Sequence, residues 1–116
     1  MACGRIKKSW EFKHTYRYGK TLVSRSVVIY FCTNKICINR IGFSISKKVG
    51  KSVKRHRIKR VYREAFCHIQ GMIKQGFDFV LIARAPAVEM DYHRAKEELL
   101  YLCRKGRLLK QRELND

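Results

Sequence analysis

Few residues in this sequence have the types and spacing to do chemistry. Cys67 followed by His68 pairs a nucleophile with a base by type, but adjacent residues on a helix do not face each other. The nine acids are Glu11, Glu64, Asp78, Glu89, Asp91, Glu97, Glu98, Glu113 and Asp116, and none of their spacings makes a cluster able to hold a catalytic metal. Glu97 and Glu98 are helix neighbours that point in different directions. A zinc cage built on Cys32 and Cys37 would need two distant partners from Cys67, His68, His14, His56 or His93. No Walker-type phosphate loop, zinc-hydrolase His-Glu-x-x-His or strand-elbow nucleophile occurs. The expectation is a polypeptide with no catalytic residue and no metal of its own. Its five cysteines, an odd number without a Cys-x-x-Cys pair, are expected to be free thiols.

Recognition is the chemistry that remains. Residues 47–63 hold nine Lys and Arg and no acid, and none follows until Glu64. A disordered basic tail has no reason to space Ile58, Val61, Tyr62, Ala65, Phe66 and Ile69 three and four residues apart. At about 100° per residue these side chains share one arc, while Arg55, Lys59 and Arg63 follow one another at i+4 beside His56 and Arg60. One stripe packs and the other is left for a partner. Like charges at i, i+4 cost an isolated helix a few tenths of a kcal/mol per pair, so the row needs an anion to neutralise it.

The whole chain says the same. Among 116 residues, 27 Lys and Arg stand against nine acids, giving a net charge of +18 and a pI near 10.2. That balance points to nucleic acid. A membrane-surface helix would set Trp, Phe and Leu opposite its cations, and the single Trp10 with scattered aromatics does not do so. No apolar run reaches membrane-spanning length, and the amino terminus lacks the apolar segment of a signal peptide, so a cytoplasmic protein of one domain, residues 1–116, is expected.

The elements that must carry these residues follow from pattern. Residues 8–18 read as a helix bringing Trp10, Phe12, Tyr16 and Tyr18 together, with Gly19 placed to end it. Ser26–Thr33 is β-rich, and Ile38–Lys47 alternates Ile41, Phe43 and Ile45 against Gly42, Ser44 and Ser46. Asn34 and Lys35 fit the turn of a hairpin between them. The basic helix spans about residues 53–70, with Gly71 or Gly76 to stop it. Phe77–Ala85 suits a central strand ended by Pro86. A last helix starts at the N-cap Asp91 and turns Tyr92, Ala95, Leu99, Leu102 and Cys103 inward until Gly106. The order is helix, three strands, helix, strand, helix: an α/β class with an α+β-like two-layer sandwich.

Alternation along Val27–Phe31 puts Val28 and Tyr30 on one face and Val27, Ile29 and Phe31 on the other. If Val28 and Tyr30 face Phe12 and Tyr16, the four line an aromatic cleft suited to stacking unpaired bases. Otherwise they are ordinary core.

The run Gly50-Lys51-Ser52-Val53-Lys54-Arg55-His56-Arg57-Ile58-Lys59-Arg60, then Arg63-Glu64, preceded by Ile45-Ser46-Lys47-Lys48, closely resembles the signature of the bacterial ribonuclease P protein component. In that family the segment is the helix bearing the Arg-Asn-Arg motif. The resemblance covers most of the chain, through Glu11-Phe12, Gly19-Lys20, Arg40-Ile41-Gly42-Phe43, Gly76-Phe77-Asp78 and Ile82-Ala83-Arg84. Ser52 departs from the family's usual Ala, and His56 from its usual Asn, which changes the donors and acceptors at that position.

The resemblance implies a sandwich with a left-handed helix crossover between parallel strands, against the usual hand. It implies an accessory subunit of a tRNA-processing endoribonuclease, in which a large RNA subunit with magnesium removes the 5′ leader of precursor tRNA. The magnesium would be held mainly by RNA and substrate. Lys51, Arg55, His56, Arg57, Lys59, Arg60 and Arg63 would then meet the RNA subunit, and Phe12, Tyr16, Val28 and Tyr30 would hold the leader. The implied partners are ribonuclease P RNA and precursor tRNA, without DNA or membrane. A structural RNA-binding protein of ribosomal type shares the size and charge but needs no groove for a mobile strand. A helix-turn-helix DNA binder leaves the strands and aromatics unexplained.

Overall fold

The computed structural model describes residues 3–110; Glu113 and Asp116, among the acids considered above, lie outside the described residues. Five strands, β1 (Gly4–Arg5), β2 (Lys20–Val23), β3 (Val27–Thr33), β4 (Arg40–Ser44) and β5 (Phe77–Ala83), form one sheet in the order β1-β4-β5-β3-β2. The helices are α1 (Ser9–Tyr18), α2 (Ser52–His68) and α3 (Tyr92–Lys105), with short 3-10 segments at Gln70–Met72 and Ala85–Glu89. The expected class and element order are therefore observed. The one predicted strand that pattern did not locate is β2, and β1 is an addition.

β5, buried along most of its length, takes the centre of the sheet. It runs parallel to β4 and antiparallel to β3, so every residue from Phe77 to Ala83 has a partner on β3. Phe79 and Leu81 point towards α2 and α3, where Phe66 meets the Phe79 ring edge-on at 5.0 Å. Val27, Ile29 and Phe31 share that side and are 0%, 4% and 5% exposed, so the core lies between the sheet and these two helices. Ile58, Tyr62, Ala65 and Phe66 of α2, with Ile69 directly after it, are buried there as the spacing predicts. Burying side chains of this size removes about 1.5–3 kcal/mol of exposure cost each. At the far end Ser26, Tyr62 and Glu98 share hydrogen bonds that join β3, α2 and α3. Asp91 caps α3 by accepting from the Arg94 N–H, and Gly106 follows its last residue.

Two expectations are corrected. The hairpin between β3 and β4 does not form, because β5 lies between them. Residues 34–39 are no tight turn but a loop docked on the start of β5. The Asn34 amide donates to Asp78 and to the Ile38 carbonyl, and the Asn39 side chain accepts from the Phe77 N–H. The thiols are also not all free: Cys3 and Cys67 form a disulfide, with Cα atoms 5.8 Å apart, while Cys32, Cys37 and Cys103 remain thiols. β1 pairs with the edge of β4 and so carries Cys3 to α2, a proximity that 64 residues of separation do not reveal.

α1 lies on the opposite face of the sheet from α2 and α3. Gly19 ends it in an extended conformation, and a glycine is needed there for close approach. A Cβ would sit 2.4 Å from the Thr15 carbonyl oxygen and 2.8 Å from that of Phe31.

Candidate nucleic-acid interface

The position of α1 is set by one cation. Arg40 on β4 donates through Nε and Nη2 to the two oxygens of Asp78 on β5 at 2.8 and 2.7 Å. Its Nη1 reaches Glu11 on α1 at 2.7 Å, and the other Glu11 oxygen accepts the Lys8 N–H. Burial alone would raise the Glu11 carboxyl, but the Arg40 hydrogen bond and charge, with the Lys8 N–H, hold it below the usual carboxylate range. The Arg40 guanidinium is pushed further up by Asp78 and Glu11, against the opposing effect of burial. A planar fork on β4 that satisfies one carboxylate on α1 and another on β5 is a role lysine could not fill.

With α1 held there, Phe12 and Tyr16 stand one turn apart over the sheet. The Tyr16 and Tyr30 rings meet edge-on at 5.1 Å, and Tyr16 is 37% exposed. Val28 and Tyr30 are half-buried, opposite Ile82 and Val80 of β5 in register, and on the α1 side rather than in the main core. The alternation along β3 thus separates the two faces as expected. Phe12 reaches towards β4: a Cβ at Gly42 would lie 2.6 Å from the Phe12 Cζ, so only glycine leaves the ring its seat.

The basic row divides into two groups. His56, Lys59, Arg60 and Arg63 line a groove of about 710 Å³ at the β4 edge, and Arg55 joins His56 and Lys59 in a smaller hollow of about 190 Å³. Arg57 turns to the other flank, where it donates to the Val88 carbonyl, and Lys51 precedes the helix without lining either space. Phe12 lines the same large groove, so the aromatic and basic regions are continuous. Among the described residues the only ion pairs are the two of Arg40, which leaves the α2 cations without carboxylate partners. Burial, then the charge of Arg5, pulls the Arg63 guanidinium below its ordinary value.

Pattern reading missed Arg5 and Lys7, which form the groove's other wall, because a two-residue strand carries no period. It also missed what Glu11, Arg40 and Asp78 do together. The one signal was their place in the segments that carry the family resemblance. Cys67 and His68 do not act as a pair: the first is bonded to Cys3, and His68 Nδ1 lies 2.6 Å from the Tyr92 hydroxyl. Glu98 points inward to Ser26 and Tyr62 while Glu97 stays exposed. Among the described residues no group of three or more His, Cys, Asp or Glu could hold a metal ion, and no helix is long and apolar enough to cross a membrane.

A family model described as Ribonuclease P matches residues 1–107. The ribonuclease P protein component of Caldanaerobacter subterraneus subsp. tengcongensis is 41% identical over 109 residues, covering 94% of this chain and 94% of that protein. That of Clostridium botulinum strain Loch Maree is 44% identical over 107 residues, covering 91% and 96%. The solved Staphylococcus aureus RNase P protein superposes with a TM-score of 0.82 at 34% identity, covering 94% of this chain and all of that one. The Thermotoga maritima protein gives 0.78 at 32% identity, covering 86% and 96%.

Proposed function

Since the chain belongs to the ribonuclease P protein family, the protein component of a tRNA-processing ribonucleoprotein that includes ribonuclease P RNA, we propose how its surfaces divide the work. The α2 row of Arg55, His56, Lys59, Arg60 and Arg63 neutralises backbone phosphates of the RNA subunit and releases their counterions. Lys51 and Arg57 add contacts on the flanks. Phe12, Tyr16, Val28 and Tyr30 hold the single-stranded 5′ leader of precursor tRNA by stacking, without hydrogen bonds that would read its sequence. Catalysis resides in the RNA subunit. Magnesium, held by RNA and substrate, supplies the charge stabilisation of phosphodiester hydrolysis there, and no step runs through a metal on the protein. The setting is cytoplasmic, and the crossover β4–α2–β5 takes the family's left-handed sense. No finding favours a ribosomal-type scaffold.

The observation that carries this reading is the half-exposed Tyr16–Tyr30 pair on the sheet face opposite the main core, continuous through Phe12 with a groove whose cations make no ion pair among the described residues. The test is binding of the assembled protein and RNA to precursor and to mature tRNA. Tyr16→Ala and Tyr30→Ala should each weaken precursor binding about five- to a hundredfold, from roughly 1–3 kcal/mol per stacked base, and leave mature tRNA unaffected. Equal weakening for both substrates, in step with lowered melting temperature, would make these tyrosines packing residues.

A further inference from the structure

Cys3 and Cys67 are the one bonded pair among the five cysteines, and the other three sit in different surroundings. Cys103 is buried, and that burial pushes its thiol up to about 12. Cys32 is half-buried beside Thr15, and burial raises its thiol too. Cys37 is exposed and free. Cys3 and Cys67 are each half-buried, so small solutes can reach the bond. Their Cα atoms lie 5.8 Å apart, within the usual span of a disulfide.

The bond is one of two meetings between the same elements. Side chains on a strand return to one face every second residue, and those on a helix every fourth, about 6 Å in either case. Cys3 and Arg5 therefore face α2 together, and Arg63 and Cys67 face β1 together. The two sulfurs bond, while beside them the charge of Arg5 opposes that of Arg63. Among the described residues no carboxylate pairs with either cation. The strand has little of its own to set against that repulsion. β1 is two residues long at the edge of the sheet, and the Gly4 and Ile6 N–H groups donate to the Asn39 and Ile41 carbonyls at 2.9 and 3.1 Å. Ile6 is buried but lies outside the main core cluster, which joins β2 to β5 with α2 and α3. Release of β1 would leave that core whole.

We propose that Cys3 and Cys67 form a reversible thiol–disulfide site, which clamps β1 against α2 when oxidised and frees the strand, with Arg5 and Lys7, when reduced. In the reducing cytoplasm proposed for this protein, a permanent staple is the exception and an accessible disulfide serves redox sensing. The co-reactant is a low-molecular-weight disulfide. One cysteine thiolate attacks it, forming a mixed disulfide and expelling one small thiol; the second cysteine attacks the protein sulfur of that bond and expels the other. The two cysteines lose two electrons and two protons, and the small disulfide becomes two thiols. Arg63, one turn before Cys67, and Arg5, two residues after Cys3, set cations beside the reacting thiolate. The consequence for RNA rests on the reading of α2 given above: reduction takes Arg5 and Lys7 away from Arg60 and Arg63 and lowers the charge the groove presents.

The test equilibrates the full chain in glutathione mixtures from reduced to oxidised, traps free thiols by alkylation and locates them by mass spectrometry. Cys3 and Cys67 should pass together from alkylated to bonded, and return when the mixture is reversed. Cys37→Ser should leave that conversion unchanged. Reduction should speed hydrogen exchange of the Gly4 and Ile6 amides about tenfold or more and leave the amides of β5 protected. Cys3→Ser, a small change at the sheet edge, should match the reduced wild type in every mixture. Binding of ribonuclease P RNA should weaken about three- to tenfold on reduction at low salt, and should not respond to the mixture in Cys3→Ser. A pair that stays bonded in fully reduced glutathione is a permanent staple and overturns the proposal. So does a pair that never bonds, or exchange at Gly4 and Ile6 that ignores the bond. Amides that respond while RNA affinity does not would support the clamp and overturn only the RNA-facing role of the groove.

Discussion

Replacing Arg40 by alanine should both destabilise the protein and blunt its discrimination for a leader, though Arg40 touches neither proposed RNA surface. The Arg40 side chain is 23% exposed, and its partners Glu11 and Asp78 are 10% and 8% exposed. Stranding a buried charge costs about 3–5 kcal/mol. Here each carboxylate keeps one donor, the Lys8 N–H for Glu11 and the Asn34 amide for Asp78, and water can enter the vacated edge. The cost should therefore fall to about 2–4 kcal/mol, or roughly 10 °C in melting temperature for a domain of this size. Arg40→Lys should recover only part, because an ammonium cannot bridge three oxygens in one plane.

The pH dependence fixes the cause. The folded Glu11 carboxyl titrates below its ordinary value of 4.5, so its contribution is present above that value and is lost as pH falls through the folded one. The stability gap between wild type and Arg40→Ala, from urea unfolding, should be full at pH 7 and shrink below about 4.5. Release of α1 should also displace Phe12 and Tyr16, lowering the preference for precursor over mature tRNA at temperatures where the variant is still folded. A gap under about 0.5 kcal/mol at pH 7, or one that does not change with pH, would refute the argument that this network positions the helix.

Two further outcomes are expected. Arg60→Ala with Arg63→Ala should flatten the salt dependence of assembly with ribonuclease P RNA by about one to two units of slope, against a fall of about a thousandfold between 50 and 200 mM for six or more contacts; an unchanged slope would mean that both face solvent. The purified chain should not cleave precursor tRNA above background, and adding ribonuclease P RNA with magnesium should bring cleavage at the mature 5′ end; cleavage by RNA-free protein would contradict the assignment of catalysis to RNA.

What the sequence revealed and what it hid divide along a physical line. A period is visible wherever one element alternates between two environments, so the inward stripe of α2, the two faces of β3 and the α3 cap at Asp91 were all legible. The β3–β4 hairpin was misread because Asn34-Lys35 is local turn chemistry, whereas sheet order depends on which strand can be buried on both faces. That strand is β5, which lies far along the chain. The same limit hides every relation between distant residues: Cys3 with Cys67, Glu11 and Asp78 with Arg40, Arg5 with Arg63. These are also the relations on which function depends. A row of cations on one helix attracts any polyanion, and the groove sets that row against Arg5 and Lys7 and beside Phe12 of α1. Its second wall is a strand of two residues that pattern alone cannot detect.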